Sequence, residues 1–325
     1  MKIDIHAHIY SPEYLDLLED VLAGPAGPLT EATKEVIQRK VRGNPAMWQV
    51  QPRLGLMDQL EVNRQVLSLS LPQVYEGDLA VRRKLARMSN DYFAEVVTKN
   101  PGRFLAFASL PLPDVDASLA ELTRCMDELG MVGVCLGAHV SGQRLDDPDF
   151  APVFDEIDRR GLVVFLHPMS PECSGMLTDF NLGPTLGYIF DTGVTVYRMI
   201  FSGMLERYQR MRLIVPHLGG MLPYLIGRVD NTYRTHPSGK KMQRSPTEYM
   251  RELYYDSVSN HPPALRLAAE VFGIERLLFG TDYPFGVDDI ELGLQSIRDA
   301  GFSAAEQAMI LGENACRLIG EEGAH

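Results

Sequence analysis

Residues 162–168 read Leu162-Val163-Val164-Phe165-Leu166-His167-Pro168, an apolar run that ends on a histidine and a proline. A strand of a parallel sheet is buried on both faces, so it reads as a continuous apolar run rather than an alternating one. The run therefore predicts a buried parallel strand whose end carries an imidazole.

Similar runs recur along the chain with amphipathic segments between them. The predicted strands are Lys2–His8, Val66–Leu71, Phe104–Leu110, Gly133–Gly137, Leu162–His167, Arg212–His217, Leu253–Ser257 and Arg276–Thr281. The predicted helices are Val81–Thr98, Asp116–Leu129, Phe150–Arg159, Thr192–Tyr208, Pro263–Phe272 and Asp288–Ala300. This alternation predicts an α/β fold, a (β/α)8 barrel of the TIM type. An open doubly wound sheet is the alternative, but neither a GxGxxG nor a P-loop motif favours it.

The length of the chain bears on its domain organisation. Its 325 residues allow two domains, or one barrel with insertions, and the regular alternation favours a single barrel domain over residues 1–325. Three connections are too long for plain barrel loops: residues 9–65, 168–191 and 218–251, after strands 1, 5 and 6. All three leave the carboxyl ends of strands, where barrels build active sites. We therefore expect residues 9–65 to form a lid or small cap.

The composition excludes some classes of partner. With 31 Lys+Arg and 43 Asp+Glu, the formal net charge is −12, whereas nucleic-acid binders show a basic stripe. The chain has no apolar run of about 18 residues, the length that a membrane span needs. Its first residues lack the apolar segment of a signal peptide, and its cysteines form no CxxC pair. A cytoplasmic protein that binds neither nucleic acid nor membrane is expected.

Histidines and one carboxylate end several of the predicted strands. His6 and His8 are two residues apart on strand 1, so they point to the same side. His167 closes strand 5, His217 closes strand 6 and Asp282 closes strand 8. Any of these alone is more typical of a core or capping residue, but burying all of them without a shared partner would cost roughly several kcal/mol. Since imidazole binds zinc and similar ions, the set predicts a metal site.

These motifs resemble those of the amidohydrolase superfamily. The resemblance rests on His6-Ala7-His8, the strand 5 histidine, His217-Leu218-Gly219-Gly220 and Gly280-Thr281-Asp282-Tyr283-Pro284. More narrowly, the chain resembles the branch of metal-dependent decarboxylases typified by 2-amino-3-carboxymuconate-6-semialdehyde decarboxylase, over nearly its whole length. The resemblance implies that His6, His8, His167 and Asp282 bind the metal and that His217 is an acid/base residue beside it.

The end of strand 4 bears on the number of metal ions. Binuclear members of the superfamily carry a bridging modified lysine there. In this chain the strand reads Gly133-Val134-Cys135-Leu136-Gly137, with neither Lys nor Glu. We therefore expect one divalent ion, with Zn²⁺ as the first choice and Mn²⁺ as the alternative.

The resemblance implies non-oxidative decarboxylation of an aromatic or muconate-type acid. The carbon that loses CO₂ must be protonated, and either His217 or Asp282 is placed to supply the proton. Water activated by His217, or direct chelation of the substrate followed by protonation from Asp282, are both compatible with the residues. A metal-dependent hydrolase or hydratase of a ring-cleavage product or other small carboxylate is the alternative. A non-enzymatic metal-binding or scaffold protein is disfavoured by the complete His/Asp set.

Substrate residues are expected on the insertions. The resemblance implies a homodimer in which arginines of the first insertion and of a neighbouring subunit bind the substrate carboxylates, and Arg228 matches one such position. The candidates in the first insertion are Arg39, Arg42 and Arg53. Phe190 and Trp48, the only tryptophan, suit a planar acid, although a place in the core of the insertions is an equal alternative.

Overall fold

Eight parallel strands form one sheet in chain order in the computed structural model, which describes residues 1–23, 41–171, 174–236, 242–285 and 290–320. We number them β1 to β8: Ile3–His8, Arg64–Ser68, Phe104–Ser109, Gly133–Gly137, Val163–His167, Arg212–Val215, Tyr254–Asp256 and Leu277–Leu278. The sheet closes because Ile5 N–H donates to the Phe279 carbonyl at 2.9 Å and His8 N–H donates to the Tyr283 carbonyl at 2.7 Å. The predicted (β/α)8 barrel is confirmed.

Helices pack around the outside of the barrel. In chain order α1 to α13 are Pro12–Ala23, Gln51–Gln59, Leu79–Lys99, Val115–Asp127, Ala151–Arg160, Tyr188–Phe201, Met204–Arg207, Leu222–Thr235, Pro246–Met250, Pro262–Phe272, Ile290–Asp299, Ala304–Ala308 and Asn314–Ile319. Local chemistry sets their ends: the Asp78 carboxylate accepts the Val81 N–H at 2.9 Å and so begins α3. The helix predicted over Thr192–Tyr208 is instead two helices, α6 and α7, because Gly203 adopts φ +82° between them.

Shorter elements connect the strands and helices. The 3₁₀ turns are Pro45–Met47, Pro148–Phe150, Ser174–Met176, His217–Gly219 and Ile274–Arg276, and the π-helical turns are Gly183–Gly187 and Met309–Glu313. An antiparallel hairpin pairs His139–Val140 with Gln143–Arg144. Within the described residues, no helix combines the length and the apolar character that crossing a membrane requires.

The core has two parts, one inside the barrel and one between strands and helices. The interior cluster takes alternate residues from strands around the barrel: Ile3, Ile5, Val66, Phe107, Cys135, Val163, Phe165, Ile214 and Leu278. The larger cluster contains the residues between them, such as Val164 and Leu166, packed against the helices. Because strand side chains alternate, Phe165 inside the barrel places His167, two residues later, on the same side.

A β-bulge in β1 decides which way the first two histidines point. Ile5 lies in the interior cluster, so strict alternation would turn the next residue, His6, outwards. The pairing of β1 with β2 instead shifts in register between Asp4 and Ala7. Such a bulge reverses the alternation. The His6 ring accordingly lies 4.8 Å from the Phe165 ring, inside the barrel.

The first insertion is only partly described. Its helix α1 buries four side chains against the barrel: Tyr14, Leu15, Leu18 and Leu22. Residues 24–40, which include the segment Gly24-Pro25-Ala26-Gly27-Pro28 and Arg39, lie outside the described residues, as does Cys173. The assignment of residues 9–65 as a lid or cap stays a prediction.

Candidate metal centre

Four imidazoles and one carboxylate converge where β1, β5, β6 and β8 end. The Nε2 atoms of His6 and His8 lie 2.9 Å apart. Oδ1 of Asp282 is 3.0 Å from Nε2 of His8 and 3.3 Å from Nε2 of His6. Nε2 of His217 is 3.5 Å from Oδ2 of Asp282. His6, His8 and His167 each offer one ring nitrogen, and these three nitrogens lie within 4.8 Å of one another. The structure therefore brings all five predicted residues together.

Hydrogen bonds fix the protonation pattern of three of these imidazoles. Nδ1 of His6 lies 2.6 Å from Oδ2 of Asp256. Nδ1 of His8 and Nδ1 of His167 lie 3.3 and 2.8 Å from main-chain carbonyl oxygens. The oxygens at Nδ1 of His6 and His167 only accept, so these Nδ1 atoms carry the proton and each Nε2 keeps a lone pair. At His8 the Ser68 hydroxyl, 3.1 Å from Nδ1, accepts together with the carbonyl when Nδ1 carries the proton, and Nε2 then turns its lone pair towards the others. Three converging lone pairs beside a carboxylate fit a divalent cation.

The electrostatics of the cluster agree with that fit. Burial lowers the pKa of His8 to about 4 and, together with His8 and His6, holds the pKa of His167 well below its usual range. Burial opposes the charge on His6 as well, but Asp282 and Asp256 outweigh it and raise the pKa of His6 to about 10. The two carboxylates thus favour positive charge at His6, which is what a divalent ion between Asp282 and the imidazoles would supply.

The backbone is strained where the cluster residues leave their strands. His217 and Asp282 adopt φ +53° and +55°, in the left-handed region that residues other than glycine rarely occupy. Such strain is typical of functional sites. The preceding Gly280 is needed for space, because a Cβ there would lie 2.9 Å from the Cβ of Asp256 and 3.0 Å from the Cβ of His6.

Asp256, at the end of β7, is a functional candidate that the sequence analysis missed. It is fully buried, and while Oδ2 accepts from His6, Oδ1 accepts the main-chain N–H of Leu218 at 3.1 Å and of Val258 at 3.0 Å. A carboxylate that orients a ligating imidazole in this way fixes its tautomer and raises its basicity. The available signal was its position, since Asp256 ends an apolar strand as the other cluster residues do.

Two of the candidate arginines of the first insertion, Arg42 and Arg53, are occupied within the chain, whereas Arg39 lies outside the described residues. Arg53 is fully buried and donates to the side chain of Gln65 and to the main-chain carbonyl of His8. Arg42 donates to Glu19 at 2.9 Å and pairs with Asp16. Neither guanidinium is free to meet a substrate carboxylate.

The predicted substrate residues Arg228, Phe190 and Trp48 differ in their exposure. Arg228 is exposed on α8, and Phe190 on α6 is 51% exposed. Trp48 is half-buried against the larger core, and its indole N–H donates to the Arg42 carbonyl at 3.4 Å. Among the hydrogen bonds and ion pairs of the described residues, none joins these three side chains to the His/Asp cluster. Their role at the site stays a prediction.

Other aromatic side chains do flank the cluster. The Phe285 ring lies 5.6 Å from the His8 ring. Burial and the charge of Asp282 raise the pKa of Tyr188, at the start of α6, so the charge of the cluster acts on this phenol. Phe285 is therefore an aromatic neighbour of the cluster.

Comparisons with known proteins agree with this arrangement. The family model described as Amidohydrolase matches residues 3–320. The chain is 30% identical over 334 residues to 2-amino-3-carboxymuconate-6-semialdehyde decarboxylase from Dictyostelium discoideum, covering 98% of this chain and 92% of that one. It is 32% identical over 289 residues to gamma-resorcylate decarboxylase from Rhizobium sp. (strain MTP-10005), covering 84% and 87% of the two chains.

A solved structure matches over the same length. Dihydroxybenzoic acid decarboxylase from Polaromonas sp. JS666, with bound manganese and the inhibitor 2-nitroresorcinol, superposes with a TM-score of 0.85. The two chains are 27% identical, and the match covers 99% of this chain and 98% of that one.

Proposed function

The chain belongs to the amidohydrolase family, and we propose that it is a metal-dependent carboxy-lyase that removes CO₂, without oxidation, from a small aromatic or muconate-type carboxylic acid. The observation that carries the proposal is the convergence of three Nε2 lone pairs, the Asp282 carboxylate and His217 at the mouth of the barrel. The similar proteins named above are decarboxylases of such acids, at 30% and 32% identity.

One divalent ion would be held by His6, His8, His167 and Asp282. Its chemistry would be that of a Lewis acid, which orients an acidic substrate and offsets its negative charge. The end of β4, Gly137, pairs with His167 and offers no side chain for a second ion. The imidazole-rich donor set suits Zn²⁺, and the Polaromonas neighbour holds manganese, so Zn²⁺ and Mn²⁺ are the two candidates.

His217 would move the proton that the reaction needs. Loss of CO₂ leaves an electron pair on carbon, and a positioned acid must protonate that carbon. Nε2 of His217 points at Oδ2 of Asp282 from 3.5 Å, while its Nδ1 is buried without a partner among the described residues. His217 and Asp282 are therefore the pair from which the proton would come.

The insertions would supply the substrate residues and a dimer contact. Large apolar side chains are exposed on the segments after β5 and β6: Met176, Phe180, Leu186, Phe190, Val194 and Tyr224. Exposed large apolar side chains are frequent at protein interfaces, and we propose that these six form one. Arg228 lies one helical turn after Tyr224 and forms no ion pair with the described residues, so a homodimer would carry it towards a neighbouring site.

The first insertion would cover the mouth of the barrel as a cap. Asn44 supports this, since its side-chain amide donates to the Pro284 carbonyl at 3.2 Å, two residues after Asp282. Trp48 would then face the substrate from this cap and Phe190 from the opposite wall. A cytoplasmic location stays a prediction of the sequence.

A panel of acids tests the activity. Gamma-resorcylate, 6-methylsalicylate and 2-amino-3-carboxymuconate 6-semialdehyde would be incubated with metal-loaded protein while CO₂ and the loss of acid are measured. We expect equimolar CO₂ from at least one acid, with deuterium at the vacated carbon in D₂O, and no reaction after chelation. Water addition without CO₂ release would contradict the proposal and favour the hydrolase or hydratase.

Light scattering tests the dimer with a matched pair of substitutions. Phe180→Asp, at a side chain 91% exposed on the apolar face, is expected to give a monomer. Leu292→Asp, at a side chain 48% exposed on α11, is expected to leave the dimer intact. A monomeric wild-type protein would contradict the proposed assembly.

A further inference from the structure

A buried polar chain lies behind β1, on the side away from the metal centre. Arg53, Gln65 and Asp4 are all fully buried. Nη1 of Arg53 donates to Oε1 of Gln65 at 2.9 Å, and Nε2 of Gln65 donates to Oδ2 of Asp4 at 2.8 Å. Burying a cation and an anion joined through an amide is costly, so such a chain is weak evidence for stability alone.

Both ends of this chain hold the backbone that carries the metal ligands. At one end, Nη2 of Arg53 donates to the main-chain carbonyl of His8. At the other, Oδ1 of Asp4 accepts the His6 N–H at 3.2 Å and the Thr281 N–H at 3.1 Å, while Oδ2 accepts the Thr281 hydroxyl at 2.7 Å. The residue after Thr281 is Asp282, whose N–H donates to the His6 carbonyl at 2.9 Å.

The bulge in β1 explains why side chains are needed there. A bulge leaves strand residues without their regular ladder partners. Around this bulge the His6 N–H and the His8 carbonyl are satisfied by Asp4 and Arg53. The guanidinium carbon of Arg53 also lies 4.9 Å from the centre of the Tyr283 ring, next to Asp282 in sequence.

We propose that Arg53 is a positioning residue of the metal centre, which fixes the spacing of His6, His8 and Asp282 through the chain to Gln65 and Asp4. It holds ligands that come from opposite ends of the sequence and does not bind substrate. The role needs arginine, because the planar fork reaches Gln65 and the His8 carbonyl together, whereas lysine presents a single point charge. The inference rests on the proposed metal site.

Metal titration tests this role without any assay of activity. Metal-free protein would be titrated with Co²⁺, whose visible absorption reports coordination geometry, and with Zn²⁺ by competition. We expect Arg53→Met to bind metal about 10- to 100-fold more weakly than wild type and with an altered Co²⁺ spectrum. Arg53→Lys should restore only part of the affinity. Gln65→Met, which cuts the chain but spares the bond to His8, should show a smaller loss and covers the case in which Arg53→Met does not fold.

Arg212 provides a matched control at the other end of the barrel. Its Nε and Nη2 donate to the Gly161 carbonyl at 3.1 and 2.6 Å, and its Nη1 donates to the Leu318 carbonyl. Like Arg53, it therefore donates hydrogen bonds to main-chain carbonyls, but at the end of the barrel opposite to the proposed metal ligands. Arg212→Met should lower Tm while leaving the metal affinity and the Co²⁺ spectrum unchanged.

The outcomes separate the two proposals. The positioning role alone would be overturned if Arg53→Met kept the metal affinity and Co²⁺ spectrum of the wild type. It would also be overturned if Arg212→Met lost as much metal affinity as Arg53→Met at the same loss of Tm. A wild-type protein that binds no metal would overturn the proposed metal site, and the positioning role with it.

Discussion

The His/Asp cluster and the insertions around it are positioned by different means. Every cluster residue lies in a strand of the barrel or shortly after one. His167, for example, is held by its pairing with Gly137, and the imidazoles of His6 and His8 are fully buried. On the insertions, Phe180 and Phe190 are 91% and 51% exposed. The difference is what we expect if the barrel sets the chemistry and, as we propose, the insertions set the choice of substrate. Changes in the cluster should therefore abolish metal binding or turnover, and changes on the insertions should alter substrate affinity.

His217→Ala should give the largest effect, because it removes the proposed proton donor and leaves the four proposed metal ligands in place. Turnover is expected to fall by about 10²–10⁴-fold with metal content unchanged, measured by CO₂ release and elemental analysis of the same preparation. His261→Ala, at an exposed loop histidine, is the control and should match wild type. Loss of metal in His217→Ala would instead identify His217 as a ligand.

Asp256→Asn should have the next largest effect. The amide oxygen can still accept the N–H groups of Leu218 and Val258, so the fold is preserved, but the carboxylate that orients His6 is lost. Metal affinity is expected to fall by about 10- to 100-fold in a Zn²⁺ competition titration. An unchanged affinity would show that the cluster does not depend on this second layer of contacts.

Arg228→Met should have the smallest effect and should test the insertions alone. Removing one charged hydrogen bond to the substrate is expected to raise KM about tenfold, with metal content unchanged. The control is Arg234→Met on the same helix, where the Arg234 guanidinium donates to Oδ1 of Asn231 at 3.2 Å. If both substitutions change KM equally, or if neither does, Arg228 is not a specific substrate contact.

The sequence was sufficient for the strands and for the residues that end them. A buried parallel strand needs a continuous apolar run, and several imidazoles and a carboxylate at strand ends are costly to bury without a shared partner. This is why His167 and Asp282 were recognisable as members of a set. The exact side to which His6 and His8 point depends on the bulge in β1, which no local pattern indicates. The same limit hid Asp256, because its partner His6 is 250 residues away.

The insertions were less predictable because their residues depend on long-range contacts. The family resemblance makes Arg53 a candidate substrate ligand, and an arginine in an insertion is normally exposed. Its complete burial follows from a match with Gln65 and the His8 carbonyl, which only the folded barrel brings together. The roles of Arg228, Phe190 and Trp48 depend on contacts with a substrate or a partner subunit, which a local sequence pattern does not encode.

Metal content per chain tests the central claim most directly. The protein would be purified without chelators and analysed for divalent metals beside the double variant His6→Ala/His8→Ala, with circular dichroism to confirm that both are folded. The account predicts one equivalent of Zn²⁺ or Mn²⁺ in the wild-type protein and none in the variant. Two equivalents, or a metal content that survives loss of both imidazoles, would contradict it.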